Sequence, residues 1–167
     1  MAEKILDVQN LEIRYVTDEE TVHAVNDISF TLEKGESIGL VGETGAGKTT
    51  AALGIMGLVP DPPGEVVGGS ILFEGEDLLK LPEKQMRAIR GGKISMIFQD
   101  PMTSLNPVMT VGDQIAEVVL LHNRISKAEA RKKAMEMLEQ VGIPAARCDD
   151  YPHQFSGGMK QRVVIAI

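Results

Sequence analysis

The residues best suited to chemistry lie between positions 42 and 50. Gly42-Glu43-Thr44-Gly45-Ala46-Gly47-Lys48-Thr49 fits the spacing G-x-x-x-x-G-K-[ST], and Thr50 follows it. Glycines at these places let a backbone wrap into a concave nest of inward-facing N–H groups. A helix opening near Lys48 adds unpaired amides and the positive end of its dipole. A lysine ammonium here reaches the β and γ phosphates of a nucleotide. A threonine hydroxyl offers an oxygen to Mg²⁺, a hard cation that keeps several of its waters. The pattern predicts triphosphate binding, but it does not decide between a kinase, a GTPase and an ATPase.

A second anion-ready segment comes much later. Phe155-Ser156-Gly157-Gly158-Met159 precedes a helical pattern that runs through Ile167. A hydroxyl, two glycines and a helix start can meet a phosphate. Alone the signal is weak, because Ser-Gly-Gly also reads as a flexible turn.

The elements that must carry these segments can be read from periodicity. Ile5, Val8, Leu11, Ile13 and Tyr15 approximate a period of two with one slip, which suggests a strand over 4–16 with a bulge. Thr17–Thr21 turns the chain, and Val22–Leu32 reads as an antiparallel partner strand. The short apolar run Ser37–Val41 has the character of a strand deep in a parallel sheet and leads into the glycine loop. A helix is expected from Lys48 to about Met56. Gly57–Gly69, with Pro60, Pro62 and Pro63, is expected to be a loop. Ile71–Phe73 reads as a short strand, Leu81–Arg90 as a modest helix with Pro82 in its first turn, and Lys93–Phe98 as another buried strand. Beyond Thr110 the period becomes helical. Val111, Ile115, Val118 and Val119 form one stripe, and Ala130, Ala134, Met137, Leu138 and Val141 form another. Ser126 and Glu129 have capping-box spacing, Gly142 ends that helix and Pro144 prevents its restart. Glu129 and Lys133 are spaced for an i, i+4 pair.

Composition narrows the setting. With 17 Lys+Arg against 24 Asp+Glu the net charge is −7, which argues against broad binding to nucleic acid or anionic membrane. The single cysteine, Cys148, cannot close an internal disulfide, so a reducing compartment is the default. The longest apolar stretches, such as Ala51–Val59, are too short to span a bilayer, and the N-terminus lacks a signal-peptide core. The expectation is a cytoplasmic, soluble chain that reaches a membrane by docking on something already there. No His/Cys cluster offers a metal site, and Cys148 reads as a small side chain or an exposed free thiol.

Taken together, the two glycine segments resemble the ATP-binding subunit of an ATP-binding-cassette (ABC) transporter. Phe155–Met159 looks like that family's Leu-Ser-Gly-Gly-Gln signature, with Phe155 for Leu and Met159 for Gln. Gln99 matches the Q-loop glutamine near Mg²⁺ and the attacking water, and Tyr15 matches the aromatic that stacks on adenine. The stretches FQDPMTSLNPVMTVGDQI (98–115) and YPHQFSGGMKQRVVIAI (151–167) look like the oligopeptide, dipeptide and nickel importer branch.

The resemblance implies an α/β fold: a RecA-like P-loop NTPase core with an antiparallel β ribbon and a helical subdomain. It divides the chain into an N-terminal part of the nucleotide-binding core over 1–104 and a helical subdomain with the signature over 105–167. It implies ATP and Mg²⁺ as cofactors, with Thr49 and Gln99 beside the metal and Gly42 to Thr50, Tyr15, Ser156, Gly157 and Gly158 around the nucleotide. It also implies head-to-tail pairing with a second ATP-binding subunit, homo- or heterodimeric. Two transmembrane permease subunits would be docked by a groove around Gln99 and would hold the subunit on the inner face of the membrane. The link to an extracytoplasmic substrate-binding protein would be indirect. Nucleic acid is not an expected partner.

The family's Walker B strand, which ends in Asp and a catalytic Glu, would follow residue 167, as would its switch histidine. The expectation is a truncated chain that binds ATP and barely hydrolyses it. His23, His122 and His153 are out of order for the switch role and are expected to be surface or packing residues. Two other readings remain: a soluble non-transport ABC-type ATPase, and a non-hydrolytic nucleotide-binding interaction module.

Overall fold

The computed structural model describes residues 3–98 and 104–167. The chain forms two compact units, Met1–Arg90 and Gly91–Ile167.

The first unit is built on a four-stranded antiparallel sheet of order β2-β1-β3-β4, with β1 Lys4–Val16, β2 Thr21–Glu33, β3 Gly64–Phe73 and β4 Glu76–Asp77. The slip in the alternation of β1 is a bulge. Its register against β2 shifts between Val8 and Leu11, and Asn10 takes φ 48°. Asn10 is held there by its Nδ2 donating to Asp27 Oδ1 at 2.7 Å and its N–H donating to Ser29 Oγ at 2.8 Å. With this slip Val8, Leu11 and Ile13 are all buried. Helix α1, Lys48–Met56, covers the sheet, and a Cβ on its Gly54 would lie 2.6 Å from Ile13 Cδ1. Helix α2 spans Glu83–Ile89, with Pro82 as its N-cap.

Two expectations for this unit change. Gly64–Gly69 is strand, because glycine here serves close approach rather than turning: a Cβ on Gly64 would meet Tyr15 Cε1 at 2.7 Å, and one on Gly69 would meet the Asn10 carbonyl oxygen at 2.5 Å. Ser37–Val41 is not a strand; Ile38, Leu40 and Val41 are exposed, Val41 at 98%. A buried parallel strand is made by its neighbours, and no described strand lies alongside this run.

The second unit is helical: α3 Val111–His122, α4 Lys127–Gln140 and α5 Gly157–Ala166, with 3₁₀ turns at Ala145–Asp149 and Pro152–Gln154 between α4 and α5. The expected capping box is present. Glu129 N–H donates to Ser126 Oγ at 3.2 Å, and Ser126 N–H donates to Glu129 Oε2 at 2.9 Å. Those hydrogen bonds hold the Glu129 carboxyl below its usual range, and no Glu129–Lys133 ion pair forms among the described residues. Val111, Ile115, Ala134, Leu138, Ile143, Cys148, Phe155 and Val163 form one core. Cys148 is packed inside it, and burial pushes its thiol pKa up, so it is not an exposed thiol. Lys93–Phe98 is not a strand either. Gly91 N–H donates to Ile94 O at 2.8 Å in a turn, and Ile97 and Phe98 are exposed.

No described helix is long and apolar enough to cross a membrane.

Candidate functional site

The glycine loop ends where α1 begins. Gly45 and Gly47 have φ +85° and +79°, the left-handed region that side chains strain to enter. Gly47 has a second requirement, since a Cβ on it would stand 2.0 Å from the Ala24 carbonyl oxygen on β2. The loop is thus seated against the ribbon through bare backbone.

The N-terminus of α1 has no side-chain cap and no acidic residue in its first turn. Ala51 N–H is the first to find a helical acceptor, the Gly47 carbonyl at 2.8 Å. The preceding amides of Lys48, Thr49 and Thr50 are left for a ligand. Helices α3, α4 and α5 differ, with Thr110, Ser126 and Ser156 as side-chain caps. Lys48 Nζ bridges the loop, donating to Gly42 O at 2.7 Å and Glu43 O at 2.6 Å. Together these features give a cation and open amides around a concave backbone, the chemistry that a polyphosphate requires.

A cleft of about 360 Å³ opens beside the loop between His23–Asn26 of β2, Leu40–Val41, and Ala46–Lys48. Among the described residues no carboxylate lines it. His23 is therefore an exposed wall of this cleft. Thr49 is exposed in the first turn of α1. Its hydroxyl suits Mg²⁺, which takes one or two protein oxygens beside phosphate and water. Among the described residues no cluster of His, Cys, Asp or Glu could hold a metal by itself. Gln99 lies outside the described residues.

Tyr15 pairs with Val22 and Gly64 in the sheet, with its ring edge at Gly64. It does not line the cleft beside Lys48. At the far end of α1, Arg90 supplies a cap that periodicity could not show. Its Nε donates to Met56 O at 2.7 Å and its Nη2 to Gly57 O at 2.8 Å, while Nη1 bonds Glu83 at 2.9 Å. A cation is favourable at that negative helix end, and Arg90, then Arg87, hold the Glu83 carboxyl below its usual range.

In the second unit, Ser156 caps α5, its Oγ accepting from Met159 N–H at 3.4 Å. Gly157 and Gly158 are exposed, with open space where a Cβ would stand. Phe155 is buried in the core beneath them. His153 stacks on Tyr151 at 5.9 Å, and His122 lies where a Cβ on Gly91 would stand. Gln114 was hidden in the apolar stripe of α3. It is buried and ties the preceding loop, accepting from Asn106 N–H at 2.9 Å and donating to Asn106 O at 3.0 Å and Met109 O at 3.1 Å.

Comparison with known proteins covers both units. The chain is 54% identical over 167 residues to the dipeptide transport ATP-binding protein DppD of Bacillus subtilis, matching 99% of this chain and 50% of that protein. It is 49% identical over 168 residues to the oligopeptide transport ATP-binding protein OppD of Salmonella typhimurium, again 99% of this chain and 50% of the relative. The chain spans about half the length of the curated relatives it matches. Among solved structures, the ATP-binding cassette MJ0796, in a dimeric post-hydrolysis state bound to ADP and Pi, aligns with TM-score 0.83 at 26% identity over 96% of this chain and 67% of its own. The protein cbiO1 of Clostridium perfringens, part of the ABC transporter complex cbiONQ, aligns with TM-score 0.74 at 27% identity over 98% of this chain and 60% of its own. The α/β fold is therefore that of ABC ATPase cassettes. The model of the ABC transporter family matches residues 25–167, a span that opens at the β2 wall of the Lys48 cleft and runs through the Ser156 helix, and the chain belongs to that family.

Proposed function

We propose that this chain is the nucleotide-binding part of a subunit that powers a peptide importer, pairing with a second such subunit around ATP. The observation that carries the reading is the uncapped start of α1 with Lys48 bridging the glycine loop. Those groups are what the β and γ phosphates need, and they leave the base to weaker contacts such as stacking on Tyr15. The relatives named for dipeptide and oligopeptide transport favour peptides over nickel as cargo.

In this reading residues 1–104 hold the nucleotide and 105–167 present Ser156, Gly157 and Gly158 to the nucleotide on the other subunit. Lys48 and the amides of Gly45 to Thr50 bind the phosphates, with Gly42, Glu43 and Thr44 forming the near side of the nest. Thr49 and Gln99 would hold Mg²⁺, which when bound neutralises phosphate charge. Gln99 would also stand beside the attacking water. Two permease subunits would dock near Gln99, place the protein on the inner membrane face and link it indirectly to an external binding protein.

Hydrolysis needs a positioned water, and in the family this chain belongs to a carboxylate would polarise it. In this reading these 167 residues alone bind ATP and turn it over negligibly; among the described residues no carboxylate lines the Lys48 cleft. Steady phosphate release that disappears in Lys48→Ala would contradict this. For the pairing step, Ser156→Arg in the full-length protein blocks ATP-driven dimerisation, followed by light scattering. Dimers forming as in the wild type would defeat the assignment of Ser156.

A further inference from the structure

We propose that Arg147 is a positioning residue for the Ser156-Gly157-Gly158 tip, holding it in the shape that meets a nucleotide's phosphates. The inference rests on the reading of that tip given under Proposed function and goes beyond it to what keeps the tip in place.

Arg147 lies in the 3₁₀ turn Ala145–Asp149, and its guanidinium reaches both flanks of the tip. Before it, Nη2 donates to the Gln154 carbonyl at 3.0 Å, and the guanidinium carbon stands 4.3 Å from the centre of the Phe155 ring. After it, Nη1 donates to Met159 Sδ at 3.6 Å. Nε is turned away to Asp150 Oδ2 at 2.7 Å, which fixes the plane of the fork. All three nitrogens are engaged, and each has a different partner.

The tip has little of its own to hold it. Gly157 and Gly158 lack side chains and are exposed, and the Ser156 cap bond is long at 3.4 Å. Consecutive glycines lose the most conformational freedom on ordering, so their shape must be imposed by the flanking residues. Arg147 grips a carbonyl, a ring and a sulfur that bracket them. The two places where this chain departs from Leu-Ser-Gly-Gly-Gln, Phe155 and Met159, are the two side chains that Arg147 touches around the tip. A planar guanidinium can stack on the Phe155 ring and donate in three directions at once. An ammonium cannot.

The test uses the full-length protein and a non-hydrolysable ATP analogue. Three variants are compared: Arg147→Ala, Arg147→Lys and Ser156→Arg. Dimerisation is read by light scattering, and fluorescent-ATP affinity by titration of the monomer. The proposal predicts that both Arg147 variants weaken dimerisation by on the order of tenfold or more, with monomer ATP affinity within about twofold of wild type. If Arg147→Ala fails to fold, Arg147→Lys decides, since it keeps the charge and an Asp150 pair but loses the stack and the fork. Full dimerisation in Arg147→Lys overturns the proposal. So does a parallel loss of monomer ATP binding, which would show a general folding role. If Ser156→Arg itself dimerises normally, the reading of the tip has failed and the role of Arg147 fails with it. If Ser156→Arg is blocked while the Arg147 variants are normal, only the positioning role is lost.

Discussion

Replacing Gly47 by alanine tests how the loop is seated. The new Cβ would stand 2.0 Å from the Ala24 carbonyl oxygen; the backbone fixes the Cβ position and the oxygen is itself backbone, so no rotamer change relieves the overlap. Loop and ribbon must part by at least about 1 Å, a displacement of the size that ruins a positioned site. Overpacking of this kind costs about 1–3 kcal/mol, and holding an alanine at φ +79° adds about 1–2. Gly45 is the internal comparison. Its φ of +85° is equally unfavourable, but nothing lies within 4 Å of its Cβ position, so Gly45→Ala carries only the backbone strain of about 1–2 kcal/mol. At about 2–4 °C per kcal/mol for a protein of this size, Gly47→Ala lowers the melting temperature by roughly 4–20 °C and Gly45→Ala by roughly 2–8 °C. Fluorescent-ATP affinity falls by on the order of 100-fold in Gly47→Ala and far less in Gly45→Ala. A Gly47→Ala protein that melts and binds ATP like the wild type, or a reversed ranking, would refute the packing of Gly47 on Ala24.

Other consequences follow from the same geometry. Burial pushes the Asp77 carboxyl up, but Lys80 Nζ at 2.7 Å and the N–H groups of Ile71 and Leu79 outweigh it and hold the pKa below the usual carboxylate range. A carboxyl depressed in the folded state stabilises above its unfolded pKa and loses that effect as the pH falls through the folded value. Asp77→Asn should therefore cost about 1 kcal/mol near neutrality and less at acid pH, so its urea-unfolding stability should converge on that of the wild type below about pH 4; a constant gap would contradict this. In the second unit, a Cβ on Gly112 would stand 2.0 Å from Cys148 Sγ and 2.7 Å from its carbonyl oxygen. Gly112→Ala should lose about 2–3 kcal/mol by urea unfolding, and adding Cys148→Ala should recover part but not all of it. Simple additivity of the two would show that they are not in contact.

Much of the site was readable in advance because it depends on local rules. A glycine loop running into a helix, a Ser-x-x-Glu capping box and a Ser-Gly-Gly helix start each specify their geometry within a few residues, and α1, α4 and α5 begin where those rules place them. The slip in β1 was also legible, because a side chain on the wrong face of a strand shows up as a broken alternation. What escaped depends on distant neighbours. Gly64 and Gly69 carry a loop's composition, yet they are strand because Tyr15 and Asn10 press against them. Ile38 and Leu40 look like buried strand, but apolar composition does not provide a neighbouring strand to pair with. Arg90, Gln114 and Arg147 are ordinary polar residues in sequence. Their roles arise from carbonyls and rings that only the folded chain gathers around them.

The central claim is that Lys48 and the open amides of α1 hold the terminal phosphates of a nucleotide. Its most direct test is the affinity for ATP and for AMP, measured in the wild type and in Lys48→Ala. Loss of the ammonium removes charge-assisted hydrogen bonds of about 2–3 kcal/mol in total, so ATP should bind roughly 30- to 150-fold more weakly while AMP, which lacks the β and γ phosphates, changes little. Unchanged ATP affinity, or equal losses for ATP and AMP, would contradict the account.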